Sequence, residues 1–221
     1  MFKKILFGLM LIASTSAANA AIITQSQTIT QQSTNINTSL IFNLFNLGPG
    51  FELTKVSFTI DGDVFGSASV ESRDSEPSTI DMELSVTLTL FDPSNSALVI
   101  SIPLFSQSFN ATAFDGTQDF GGTSGATFTG LNASQSVTET YMDAATLAQF
   151  TGPGTISLGL TAVGTSNGSG AGNLISQFST DAAADIEVVY EYGPTEVSEP
   201  SVIALFGLGL IALGGMRRSK K

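Results

Sequence analysis

Apolar and polar residues alternate without a break from Ile80 to Leu90. All six even positions of this run are apolar, whereas the odd positions hold Asp, Glu, Ser or Thr. Because successive side chains of a β-strand point to opposite faces, this pattern predicts a strand with one buried and one solvated face. A helix would scatter the same apolar residues around its circumference, so the run favours a β fold.

Shorter runs of the same alternation predict about ten strands in total. The clearer ones cover residues 56–60, 64–70, 156–162 and 186–192, and the weaker ones cover 22–30, 40–45, 98–102, 108–114 and 134–141. We therefore predict an all-β fold, an antiparallel β-sandwich, with a jelly roll as one candidate topology. The pair Asp61-Gly62 predicts a hairpin turn. Asp143 is expected to cap one short helix over 144–150.

The N-terminus has the three parts of a secretory signal peptide. A pair of lysines near the start precedes an apolar run over 5–13, and Ala18 and Ala20 form an A-x-A cleavage pattern. The apolar run is too short to remain as a membrane span. We predict that residues 1–20 are a signal peptide and that the mature chain begins at Ala21.

The C-terminal segment, 194–221, joins a short polar linker to an apolar run and a basic end. The run covers 202–216 and holds no charge. As a helix it would measure about 22 Å, which is short against a hydrocarbon core of about 30 Å. The four cations behind it oppose translocation and are expected to stay cytoplasmic. They are Arg217, Arg218, Lys220 and Lys221.

A five-residue motif precedes the apolar run. It consists of Val197, Ser198, Glu199, Pro200 and Ser201. Together with the run and the basic end it resembles the PEP-CTERM sorting signal, in which Val-Pro-Glu-Pro-Ser leads into a short apolar helix and an Arg cluster. Ser198 stands where that family has a proline. The resemblance implies Sec-dependent export, then removal of the tail by exosortase, a membrane enzyme. The alternative is a plain C-terminal membrane anchor that is never cut.

The segment between the two ends, 21–193, resembles a second family. The residues that carry this resemblance are 51–91, 113–125, 150–154, 162–173 and 188–192. They look like the choice-of-anchor E domain, an extracellular bacterial module found with different surface-sorting signals. The resemblance implies export and surface display, without an assigned activity.

The exported segment is strongly acidic. It runs from Ala21 to Glu199, its only basic residues are Lys55 and Arg73, and it holds all 19 acids of the chain, which gives a net charge of −17. Nucleic acid is therefore excluded as a partner, because binding it requires Lys and Arg to neutralise phosphates. Such a surplus of carboxylates keeps a protein soluble and attracts divalent cations.

Two absent residue types exclude most catalytic chemistries. The chain has no Cys and no His. It therefore lacks a thiolate nucleophile, a Ser-His-Asp triad and the commonest transition-metal ligands. We predict a protein without enzymatic activity and without a catalytic residue. A hydrolase that uses two carboxylates across a cleft is a further alternative.

One Gly-rich segment is a candidate calcium site. Asp115 and Asp119 lie four residues apart, with Thr117 and Gln118 as further oxygen donors. Calcium takes such ligands, although the spacing is not that of an EF-hand. The other interpretation is a long loop in which these residues form turns. Apart from calcium we expect no cofactor.

These observations predict an exported bacterial protein of the cell surface or extracellular matrix, a structural or interaction module. Its expected partners are the Sec machinery and exosortase, both transient, the inner membrane before processing, and extracellular polysaccharide. A calcium-dependent adhesion or glycan-binding module is the main alternative.

Overall fold

A computed structural model describes residues 20–195, which form ten strands and one short helix. The strands are β1 Ala21–Ser33, β2 Ile36–Asn43, β3 Phe51–Ser72, β4 Ser78–Phe91, β5 Ala97–Ser101, β6 Leu104–Ala111, β7 Gly125–Tyr141, β8 Thr155–Gly164, β9 Asn167–Ser169 and β10 Leu174–Pro194, and the helix α1 is Ala144–Gln149. The predicted signal peptide up to residue 19 and the sorting tail from residue 196 lie outside the described residues.

The strands form two sheets in which every neighbouring pair is antiparallel. The first sheet has the order β1-β10-β3-β7. In the second sheet β2 pairs with β8, and β8 pairs with the central strand β4. The strands β5 and β6 lie along the other edge of β4. The predicted antiparallel β-sandwich of about ten strands is thus confirmed.

Two pairs of short strands, β5 with β6 and β8 with β9, each run end to end along one edge of β4. Leu88 lies opposite Ser101 of β5 and Ser85 lies opposite Leu104 of β6, so the register does not change between them. On the other edge, β8 and β9 also keep one register against β4. The second sheet is therefore four strand positions wide, like the first.

The predicted hairpin at Asp61-Gly62 is wrong, because β3 continues through it as one strand of 22 residues. Gly62 faces the second sheet, and a Cβ atom there would lie 2.4 Å from Leu88 Cδ1. Asp61 pairs with Ser136 on one side of β3 and with Asp185 on the other. The glycine thus marks a close approach of the two sheets and not a turn.

The core lies between the two sheets and is closed at one end by α1. Phe58 is fully buried, and its ring centroid lies 5.0 Å from that of Phe150, which follows the helix. The helix begins where predicted, because the Asp143 carboxylate accepts a hydrogen bond from the Thr146 amide at 2.9 Å. With six residues, α1 falls far short of a membrane span, and no other helix occurs in residues 20–195.

Side chains from the edge strands of the first sheet cover the edges of the second. The Gln25 side chain of β1 bonds both the amide and the carbonyl group of Asn43 in β2. On the other side, Gln135 of β7 accepts from the Ile102 amide at 2.5 Å, and the Tyr141 hydroxyl donates to the Leu98 carbonyl. These bonds satisfy backbone groups that would otherwise form an open edge.

Tyr190 makes the fold sensitive to alkaline pH. Burial raises the pKa of Tyr190 to about 12, and its hydroxyl donates to the Asn43 carbonyl oxygen at 3.0 Å. In the unfolded chain a tyrosine loses its proton near pH 10. The contribution of Tyr190 to the free energy of unfolding is therefore fully present below pH 10 and is lost as the pH rises through about 12. Urea unfolding between pH 8 and 12 should show this decline, and Tyr190→Phe should flatten it. Equal slopes for both proteins would contradict the assignment.

Candidate functional site

Both ends of the sandwich domain emerge at one end of the molecule. Ala21, the first residue of β1, pairs with Tyr192 near the end of β10. We call this the basal end, and the opposite end the distal end. Three connections meet at the distal end, and they cover residues 73–77, 112–124 and 170–173. The last described strand, β10, therefore ends at the opposite end from these loops.

The two predicted calcium ligands lie in the distal loop over 112–124. The Asp115 carboxylate accepts from the Thr117 amide at 3.0 Å, and Asp119 accepts from the Gly121 amide at 2.9 Å. Each carboxylate thus closes a turn of its own backbone, as the alternative interpretation proposed. Within residues 20–195, no three acidic side chains are grouped so that they could hold a metal ion. Calcium binding at Asp115 and Asp119 stays a prediction.

Glu71 organises this loop and was not predicted from the sequence. The residue is fully buried, and its Oε2 atom accepts from the Phe120 amide at 2.6 Å and the Asp119 amide at 3.3 Å. Its Oε1 atom accepts from the Ser124 hydroxyl at 2.6 Å. A carboxylate that receives three donors is well compensated for its burial. Alternation in β3 places Glu71 on the solvated face, and no local signal shows that a loop about 50 residues later covers it.

A second carboxylate ties the other two distal connections together. Asp74 accepts from the backbone amides of Gly172 and Asn173 at 2.7 and 2.9 Å. Its own carbonyl oxygen accepts from the Phe114 amide at 2.8 Å. The Arg73 guanidinium lies 5.9 Å from the centre of the Phe114 ring, within the range of a cation–π contact. The distal loops are therefore one connected polar structure.

A polar groove crosses the outer face of the second sheet near the distal end. It encloses about 460 Å³. Its lining comes from three adjacent strands, and the residues are Asp81, Met82, Glu83, Ser106, Gln107, Ser108 and Ser169. The residues on β4 are central, with β6 on one side and β9 on the other.

The strand register sets the floor of the groove as two rows of polar side chains. In the first row, Asp81 lies between Ser108 and Ser169. In the second row, Glu83 lies between Ser106 and Asn167. All six residues are exposed. The two carboxylates are two positions apart on one strand, so their Cα atoms are separated by about 6.6 Å.

The groove is lined by groups that form hydrogen bonds. The Ser108 hydroxyl donates to Asp81 Oδ1 at 2.6 Å. Glu83 receives no hydrogen bond from residues 20–195, so its carboxylate is free for a ligand. Both acids of the groove are exposed to solvent.

Comparisons with known proteins identify no family for this chain. No protein-family model matches it, and no curated protein matches it. Among solved structures, "Structure of infectious bursal disease virus Gx strain" matches with a TM-score of 0.24, 13% identity and 83% of this chain. "Crystal structure of infectious bursal disease virus VP2 subviral particle" matches with a TM-score of 0.23, 12% identity and 80% of this chain. In each case the match covers only 38% of the viral chain.

Proposed function

We propose that this protein is an exported bacterial module of the cell surface or extracellular matrix, without enzymatic activity, sorted by an exosortase-type system. One observation carries the proposal. The sandwich begins at Ala21, the first residue after the predicted cleavage site, and ends at Pro194, just before the sorting motif. No buried side-chain polar atom among residues 20–195 lacks a hydrogen-bond partner. The predicted cleavage points therefore lie outside the paired strands of the sandwich.

We further propose that the sandwich is a jelly roll flanked by a signal peptide and a C-terminal apolar helix. If the strands are lettered B to I, with β5 and β6 as one strand and β8 and β9 as another, the sheet orders become B-I-D-G and C-H-E-F. This order supports the proposal, since it is that of a long hairpin rolled into two sheets. Jelly rolls serve as binding and assembly domains, which suits an interaction module.

The basal position of the chain ends supports surface display. A tail held in the inner membrane would follow β10, so the distal loops and the polar groove would face away from the membrane. Binding residues are disproportionately found on loops that a rigid scaffold positions. The same orientation would hold after transfer to another anchor at the new C-terminus.

The mass of the native protein tests the sorting proposal. We expect a chain that starts at Ala21 and ends within 197–201, recovered from the cell surface or medium. A chain that retains Lys221 and stays with the inner membrane would identify the tail as an uncut anchor. Pro200→Ala should block removal of the tail, whereas Thr195→Ala, outside the motif, should not. Mass spectrometry of the intact chain distinguishes these outcomes.

Glycan binding is the second candidate function, and the polar groove favours it. Its three serine hydroxyls, two carboxylates and neighbouring amide groups match the donors and acceptors of a sugar. A carboxylate hydrolase is less favoured, because both acids of the groove are solvated. For the calcium-dependent alternative, the expected result is a melting temperature that rises with added calcium.

A further inference from the structure

The polar groove differs from the other acidic surface of the sandwich in its shape. The first sheet also carries carboxylates on its outer face, at Asp61 and Asp63, with the same two-residue spacing on one strand. Ser134 and Ser136 lie opposite them on β7. The Asp63 carboxylate is engaged by the Ser134 hydroxyl. The two faces thus present similar residue types, but the Asp81–Glu83 pair lies in a groove.

We propose that the polar groove is a binding site for a neutral polysaccharide strand, held by hydrogen bonds alone. The inference rests on the proposed function, because an exported matrix module would meet such polymers. Sugars present vicinal hydroxyl groups that donate and accept at fixed spacing. The carboxylates of the groove only accept hydrogen bonds, whereas its hydroxyl and amide groups both donate and accept them. Hydrogen bonds from a ligand hydroxyl to a carboxylate are stronger than those between neutral groups.

The charge of the domain selects against other ligands. With two basic residues against 19 acids in the exported segment, an anionic polymer would be repelled from the groove. An apolar ligand would leave the Glu83 carboxylate desolvated without a hydrogen-bond partner, which is costly. A neutral polysaccharide replaces the water molecules around the carboxylates of the groove with its hydroxyl groups, and the negative charge of the domain does not repel it.

The form of the groove favours a chain over a single sugar. The groove lies open on the sheet surface and spans three strands, a width of about 10 Å at 4.8 Å per strand spacing. Its two polar rows lie about 6.6 Å apart along β4. A polysaccharide chain that crosses both rows of polar side chains forms more hydrogen bonds than a monosaccharide, which can reach only one of the rows well. We therefore expect weak binding of monosaccharides and tighter binding of the polymer.

Affinity electrophoresis of the full-length chain tests this site. The probe is the neutral polysaccharide fraction from the matrix of the producing cell, cast into a native gel with mild detergent. We expect the protein to be retarded by this fraction. The double variant Asp81→Ala/Glu83→Ala should weaken binding at least about tenfold, because it removes two charge-assisted acceptors. The matched control Asp61→Ala/Asp63→Ala removes the same charge from the other face and should bind normally.

The outcomes separate this site from the proposed function. No retardation by the neutral fraction overturns the site, and so does equal loss of binding in both double variants. Retardation only in a gel that contains chitosan, a polycation, and only at low salt would also overturn it in favour of charge attraction. Thermal unfolding of each variant excludes misfolding as the cause. Intact mass of the native protein reports on sorting, so a processed chain without retardation would refute the groove alone.

Discussion

Replacement of Glu71 by alanine is expected to lower the free energy of unfolding by about 3 kcal/mol. The buried carboxylate receives two backbone amides and one hydroxyl from the loop over 112–124. Without the carboxylate these donors lose their hydrogen-bond partner. Each lost charge-assisted bond costs roughly 1.5–3 kcal/mol if water does not replace the missing acceptor. Three such losses would add up to about 4.5–9 kcal/mol, but water and local rearrangement of the loop recover part of this, so we expect about 3 kcal/mol, below the combined range.

The loop conformation depends on this carboxylate for a second reason. Phe120 has a φ of 55°, in the left-handed region that a bulky side chain rarely adopts. Such a residue costs about 1–3 kcal/mol and persists only when its surroundings hold it. The Phe120 amide donates to Glu71 at 2.6 Å, the shorter of the two backbone bonds to this carboxylate. In Glu71→Ala we therefore expect Phe120 to leave this conformation.

Two measurements distinguish this effect from a general loss of stability. The melting temperature of Glu71→Ala should fall by about 6–12 °C, given 2–4 °C per kcal/mol for a domain of this size. Chymotrypsin should cut the variant at Phe114 or Phe120 under native conditions. Glu76→Ala, which removes an exposed acid a few residues away, should change neither result. If Glu71→Ala melts and resists protease as the parent does, the loop does not depend on the carboxylate.

The strand content of this fold was predictable because it depends on local pattern. The run from Ile80 to Leu90 becomes β4, and its even positions are all buried. Asp143 was recognised as the cap of α1 because capping involves residues three positions apart. The length of β3 was not recognised, since the Asp61-Gly62 pair carries a hairpin signal. The alternation of inward and outward side chains continues without a shift across this pair of residues. This continuity indicates a single strand better than the Asp-Gly pair indicates a turn.

The candidate site was less predictable because it depends on register between distant strands. Glu83 acquires Ser106 and Asn167 as neighbours only through the pairing of β4 with β6 and β9. Glu71 acquires its donors from a loop about 50 positions later in the chain. A single sequence gives the face on which a side chain lies, but not which strand lies beside it. The turn residues Asp115 and Asp119 were visible because their partners are local.

The other large effect concerns Gly66 of β3, which lies against the neighbouring strand β10 on one side and against the second sheet on the other. A Cβ atom at this position would lie 2.0 Å from the Ser179 carbonyl oxygen and 2.7 Å from Leu84 Cδ2. The first of these atoms belongs to the backbone of β10, and the second to a fully buried side chain. Neither can move far without disturbing the strand pairing or the core. We expect Gly66→Ala to destabilise the protein by about 3 kcal/mol, at the upper end of the usual cost of overpacking.

Gly159 of β8 provides a matched control in the other sheet. A Cβ atom there would have its nearest neighbour, Phe91 Cβ, at 3.7 Å, which is an ordinary contact. Gly159→Ala should therefore stabilise the protein slightly, by about 0.4–1 kcal/mol, because alanine restricts the unfolded chain. The same restriction acts in Gly66→Ala and is outweighed by the clash. Urea unfolding of the two variants should thus give shifts of opposite sign, and a shift of the same sign for both would mean that β10 yields to the added methyl group.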